Sequence, residues 1–186
     1  MDIGIISMRY AKALLQYAKD TSTEERFYEE MRMLEHNFRE QPRLREALSN
    51  PVLGKREKLS LLATASMGEQ AMSREFARFM TLVLKNGREG VLQYICLTFL
   101  YLYRKEHNIV IGKLITATPV SDEVKQRIRR EASTRLQAHT ELRTEVDPNI
   151  EGGFIFDING VRLDASIATQ LKSVRRQFVE KNRRIV

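Results

Sequence analysis

The sequence predicts an α+β chain: an N-terminal bundle of about six α-helices, then a small α+β domain with two helices and a sheet containing a β-hairpin. Three observations lead there. Apolar residues recur at helical spacing up to about residue 107, the period then changes to that of strands, and residues 146–167 carry a hairpin signature. The expected domains are therefore 1–107, helical, and 108–186, mixed.

In the first helix Ile6, Tyr10, Ala13, Leu14 and Tyr17 recur at helical spacing and form a single stripe. Phe27, Met31, Leu34 and Phe38 repeat the pattern in a second. Pro42 suits the first turn of a short third helix over 43–48, and Asn50-Pro51 ends it, because the residue before a proline avoids helical angles. A fourth helix spans roughly 55–65. Ser73 has the side chain of an N-cap for a fifth, whose Phe76, Met80, Val83 and Leu84 form an apolar face ending at Asn86-Gly87, a natural helix stop. A sixth follows from Arg88. Short connections favour antiparallel neighbours, hence a compact bundle.

From Ile109 the residues Ile109-Val110-Ile111 and Leu114-Ile115 read as a strand closed by Thr118-Pro119. Ser121 is placed to cap the next helix, with Asp122 and Glu123 favourable in its first turn. Val124, Ile128, Ala132 and Leu136 supply its buried stripe, leaving Lys125, Arg127, Arg129 and Arg130 outward. A short strand is expected over 142–146, followed by the hairpin around Asn159-Gly160, a type I′ turn pair. A two-residue turn sets Ile158 opposite Val161, Phe156 opposite Leu163 and Phe154 opposite Ala165, so one side of the hairpin is apolar. On the other side Asp157 faces Arg162. Gly152-Gly153 implies a bulge or a close backbone approach, after a turn at Asp147-Pro148. A last helix carries Ile167, Leu171, Val174 and Phe178 on one face, which is expected to cover the hairpin.

Composition narrows the function classes. With 42% hydrophobic residues in 186, the chain has the makings of a globular core. The longest nearly apolar run, 95–103, is far short of the ~20 residues that span a bilayer. Asp2 followed by a short apolar stretch and Arg9 is the wrong charge order for a secretory signal, so a cytoplasmic location is expected. Cys96, alone among Leu92, Ile95, Phe99 and Leu102, reads as a small buried hydrophobe. His36, His107 and His139 are scattered, so neither a metal site nor a cofactor site is expected. Asp147, Asp157 and Asp164 each have a structural use in a turn, a cross-strand pair or a cap, and no catalytic residue is expected. The formal charge of +7 is spread along the chain with clusters at 125–130 and 172–184. These would suit a basic nucleic-acid-binding adaptor, the alternative reading, although paired sheet aromatics and zinc-finger spacing are missing.

Several separated motifs carry a resemblance. They are Tyr10-Ala11-Lys12-Ala13-Leu14, Leu48-Ser49-Asn50-Pro51 with Lys55, Asn86-Gly87-Arg88, Thr116-Ala117-Thr118-Pro119-Val120-Ser121, Val146-Asp147-Pro148 with Gly152-Gly153-Phe154, and Asp164-Ala165-Ser166-Ile167 with Leu171. In this order, nearly end to end, the chain resembles the delta subunit of bacterial F-type ATP synthases, the family that includes the mitochondrial oligomycin-sensitivity-conferring protein. Glu151 departs from the family, where an apolar residue is common.

The resemblance implies a non-catalytic stator part of the proton-translocating ATP synthase. Such a part joins the catalytic head to the b-subunit peripheral stalk at the cytoplasmic face of the membrane and resists torque. It further implies that residues 1–107 bind the N-terminal helix of an α subunit between the first and fifth helices, through Tyr10, Ala13, Leu14, Tyr17, Phe79, Leu82 and Val83. Residues 108–186 would receive the C-terminal ends of the b subunits, with Arg175, Arg176, Lys181 and Arg183 as candidate contacts.

Overall fold

The computed structural model describes residues 2–67, 71–158 and 160–183, apart from the side chains of 135, 136 and 179–183. The chain divides into two compact units, Met1–Glu106 and His107–Val186. The first is built of six helices: α1 (Ile3–Asp20), α2 (Glu24–Glu40), α3 (Pro42–Ser49), α4 (Lys55–Met67), α5 (Arg74–Lys85) and α6 (Leu92–Glu106). Each boundary has a local cause. The Asp2 carboxylate accepts from the Gly4 amide at 2.9 Å and caps α1. Pro42 occupies the first turn of α3, and Ser73 Oγ accepts from the Phe76 amide at 3.3 Å to open α5. At the other end of α5, Gly87 has φ +61°. The Gly87 amide donates to Leu84 O and the Arg88 amide to Val83 O, the paired bonds of a Schellman motif. Glycine is needed there because a side chain at that φ is strained.

The bundle core is aromatic at its centre. Phe27, Phe76, Phe99, Leu14, Met31 and Leu34 are fully buried, and the Phe27 and Phe76 rings meet edge to face at 5.6 Å between centroids. Each such side chain stabilises the fold by about 1.5–3 kcal/mol through removal from water. Cys96 lies in this core, and burial pushes its thiol well above the usual range. Lys58 on α4 is nearly buried and donates to Glu89 at 2.8 Å, joining α4 to the 3-10 turn Glu89–Val91 before α6. Burial pushes Glu89 up, but the Lys58 hydrogen bond and charge outweigh it and leave the carboxyl below its usual range.

The second unit contains β1 (Ile109–Thr116), α7 (Asp122–Leu136), β2 (His139–Val146), β3 (Phe154–Ile158), β4 (Val161–Asp164) and α8 (Ile167–Arg183). The sheet order is β2-β1-β3-β4. β2 runs parallel to β1, as the intervening α7 allows, and β3 and β4 are antiparallel. The hairpin register is the predicted one: Phe156 pairs with Leu163, Asp157 with Arg162 and Ile158 with Val161. Asn159 lies outside the described residues. Ser121 stands at the N-cap of α7 as expected but makes no side-chain cap hydrogen bond.

One expectation about helix faces needs correction. α8 does not cover the hairpin: Ile167, Leu171, Val174 and Phe178 are 44–65% exposed. The reason is the anchoring of its first turn. The Ile167 amide donates to Gly152 O, the Ala165 amide to Phe154 O, and Asp164 accepts from Ser166 and Thr169. These bonds tie α8 to the 148–153 turn at the end of the hairpin, clear of its apolar face. That face instead looks across an open cleft of about 730 Å³ to Val124, Ile128 and Ala132 of α7, with Phe154, Phe156 and Leu163 on the sheet side. The Leu136 side chain, the expected fourth member of the α7 stripe, lies outside the described residues. The α7 cations are outward as expected, with Arg127, Arg129 and Arg130 exposed and Lys125 half-buried. From there Arg127 also borders this cleft, and Arg129 donates through Nε to Thr140 O on β2 at 3.0 Å.

Candidate protein-docking groove

In the first unit, α1 and α5 leave an apolar groove of about 480 Å³ between them. The α1 wall follows from helical spacing: Tyr10, Ala13, Leu14 and Tyr17 lie at i, i+3, i+4 and i+7, so they share one side of the helix. Leu14 is 1% exposed and forms the floor, while Tyr10 and Tyr17 are half-buried. Ala13 is exposed, and its single methyl leaves the groove open at mid-length. The core-facing side of α1 is a neighbouring stripe, Ser7, Ala11, Leu14, Leu15 and Ala18. The predicted stripe therefore sits at the edge of the bundle core, and only Leu14 belongs to both.

On α5, Phe79 and Leu82 line the opposite wall. Phe79 is nearly buried, and Leu82 is 48% exposed, a large apolar side chain left about half in water. Val83, the seventh expected contact, is fully buried and turned into the core with Met80 and Phe76. It does not line the groove, because one residue beyond Leu82 is a 100° turn toward the bundle interior.

The walls are fixed to each other. The Tyr10 ring meets Phe79 edge to face at 6.5 Å, and Asn86 Nδ2 donates to Tyr10 Oη at 3.0 Å. Glu30, a fully buried carboxylate on α2, accepts from the Ser73 amide at 2.6 Å and from Ser73 Oγ at 2.8 Å, which holds the start of α5. Sequence reasoning missed Glu30, as its place in the pattern of α2 resembles that of any surface glutamate.

Sequence reasoning also missed Arg9 and Arg78, which line the same groove, one from each wall. Their positions beside Tyr10 and Phe79 and one turn before Ala13 and Leu82 were the available signal. Both are exposed, and neither takes part in a hydrogen bond or ion pair among the described residues. This arrangement can bind an amphipathic segment and has no nucleophile and base within it. Among the described residues no group of three His, Cys, Asp or Glu could hold a metal. Asp147 accepts from the Asn149 amide and side chain, a turn role. Hydrogen bonds from the Ser166 hydroxyl and amide hold Asp164 below the usual carboxylate range.

In the second unit the exposed α8 stripe is flanked by Arg175 and Arg176, both exposed. The Lys181 and Arg183 side chains lie outside the described residues.

The family described as ATP synthase delta (OSCP) subunit matches residues 6–178. The chain is similar to the ATP synthase subunit delta of Bacteroides thetaiotaomicron, 58% identical over 186 residues covering 100% of both chains. It is also similar to those of Bacteroides fragilis and Phocaeicola vulgatus, 54% and 49% identical with the same full coverage. Its fold is shared by a chain in the cryo-EM structure of the Toxoplasma gondii mitochondrial ATP synthase hexamer, with a TM-score of 0.63 and 19% identity, covering 93% of this chain and 97% of that one.

Proposed function

The chain belongs to the ATP synthase delta (OSCP) subunit family, a non-catalytic part of the ATP synthase stator, and from that premise we propose that its α1–α5 groove holds the N-terminal helix of one α subunit. On the same reading, the second unit takes the C-terminal ends of the b subunits. The groove carries the proposal: an apolar channel between two helices, with Leu82 exposed on its lip and Ala13 open at its middle, suits a helix laid in lengthwise. Rotary catalysis needs a head that does not turn with the rotor. The joining piece must grip and stay stiff, and no bond is made or broken in it. The exposed α8 stripe with Arg175 and Arg176 supports the b-subunit assignment, to which Lys181 and Arg183 also belong.

The location that follows is peripheral, at the cytoplasmic face of the membrane through the assembled complex. Among the described residues no helix is long and apolar enough to cross a bilayer. Capture of the purified chain on an immobilised peptide of the α-subunit N-terminus tests the groove. Ala13→Trp, at an exposed helical position, should fill the channel and weaken capture at least about tenfold, equal to about 1.4 kcal/mol, with the helical content of the chain unchanged. Undiminished capture by that variant would place the interface elsewhere.

A further inference from the structure

We propose that the groove selects its occupant by charge: Arg9 on α1 and Arg78 on α5 take carboxylates from the polar flanks of an amphipathic helix of the partner chain, whose apolar stripe seats on Ala13, Leu14 and Leu82. The inference rests on the groove reading above and goes further, since it states which helices are accepted and which are refused.

An arginine stands on each wall of an otherwise apolar channel, both exposed and both without a protein partner among the described residues. Their surroundings reinforce the sign. α1 contributes Arg9, Lys12 and Lys19 against Asp20, and α5 contributes Arg74, Arg78 and Lys85 against Glu75. Of these, Lys19 is already engaged by Glu106, whereas Arg9 and Arg78 are the two that line the channel itself. A helix in the channel would run its flanks along both walls, so each flank meets one guanidinium. Its own cations would be repelled on both sides. Arginine suits the task, because its planar fork binds a carboxylate bidentately and its long stem is apolar enough to run along a channel wall. Charge pairs at the edge of an interface act chiefly on encounter, so the discrimination should appear in the association rate and fade with salt.

The test uses the full chain and two synthetic amphipathic peptides with identical leucine stripes, one with glutamates at the flanking positions and one with lysines, beside the α-subunit N-terminal peptide. At low ionic strength the glutamate peptide should bind about tenfold or more tightly than the lysine peptide, mostly through faster association, and the gap should close in about 1 M salt. The double variant Arg9→Glu/Arg78→Glu should reverse the preference. Both positions are on the surface, so an unchanged thermal transition will show that the variant folds. Equal affinities and an inert double variant, with α-peptide binding still sensitive to Ala13→Trp, would overturn the charge rule and leave the groove reading standing. Failure of all three peptides to bind would overturn both. Dimerisation of the chain abolished by Ala13→Trp would give the groove to a second copy and overturn the proposal.

Discussion

Glu30 shows how a single buried side chain helps to position one wall of the proposed docking groove. Its carboxylate is fully buried, yet it is spent on the Ser73 amide and hydroxyl at the head of α5, with Arg26 3.8 Å away. Burial raises its pKa above the ordinary 4.5, a shift that the Ser73 bonds and Arg26 offset only in part and to which the charge of Glu75 adds. The folded chain therefore holds this proton more tightly than the unfolded chain does. The contribution to stability is present below the unfolded pKa and is lost as pH rises through the folded one. Glu30→Gln keeps an acceptor for Ser73 and removes the titration. Urea midpoints of wild type and variant, compared from pH 4 to 7, should diverge in favour of the variant as pH rises through that window. A constant difference would mean that Glu30 does not titrate there. Neither Glu30 nor the pair Arg9 and Arg78 stands out in the sequence, because charge on a helix is the usual solvated face and only tertiary placement gives it a task.

The helices and strands themselves were largely legible. Helical spacing together with proline and N-cap signals located the six helices of the bundle, and Asn86-Gly87 marked the stop of α5, which the structure builds as a Schellman motif. Alternation about the Asn159-Gly160 turn fixed the β3–β4 register, because a slip of one residue would exchange the two faces. The destination of an amphipathic face was not legible. The apolar stripes of α8 and of the hairpin look complementary in sequence, but the hydrogen bonds at 152–169 direct α8 away from that union. Gly153 is the hinge of this arrangement. At φ +73°, an added Cβ would lie 2.2 Å from the Ala165 carbonyl oxygen, which only glycine avoids. Gly153→Ala should therefore destabilise the second unit by more than about 1 kcal/mol, measurable as a lower urea midpoint. An unchanged midpoint would show that the backbone there is free to shift.

For the whole molecule, the two units each have their own core, one centred on Phe27, Phe76 and Phe99, the other including Leu114, Ile150 and Ile155. Calorimetry of the full chain should show two transitions, and Gly153→Ala should lower only one of them. A single transition that moves as a whole would contradict that division. The Tyr10–Asn86 hydrogen bond, small in itself, has a mechanical consequence. It ties the middle of α1 to the end of α5, so that, on the proposed reading, the jaw is braced before a helix enters. An arriving helix would bear the entropic cost of ordering itself but little for ordering its receptor. A coupling built in this way has little slack to take up when load is first applied.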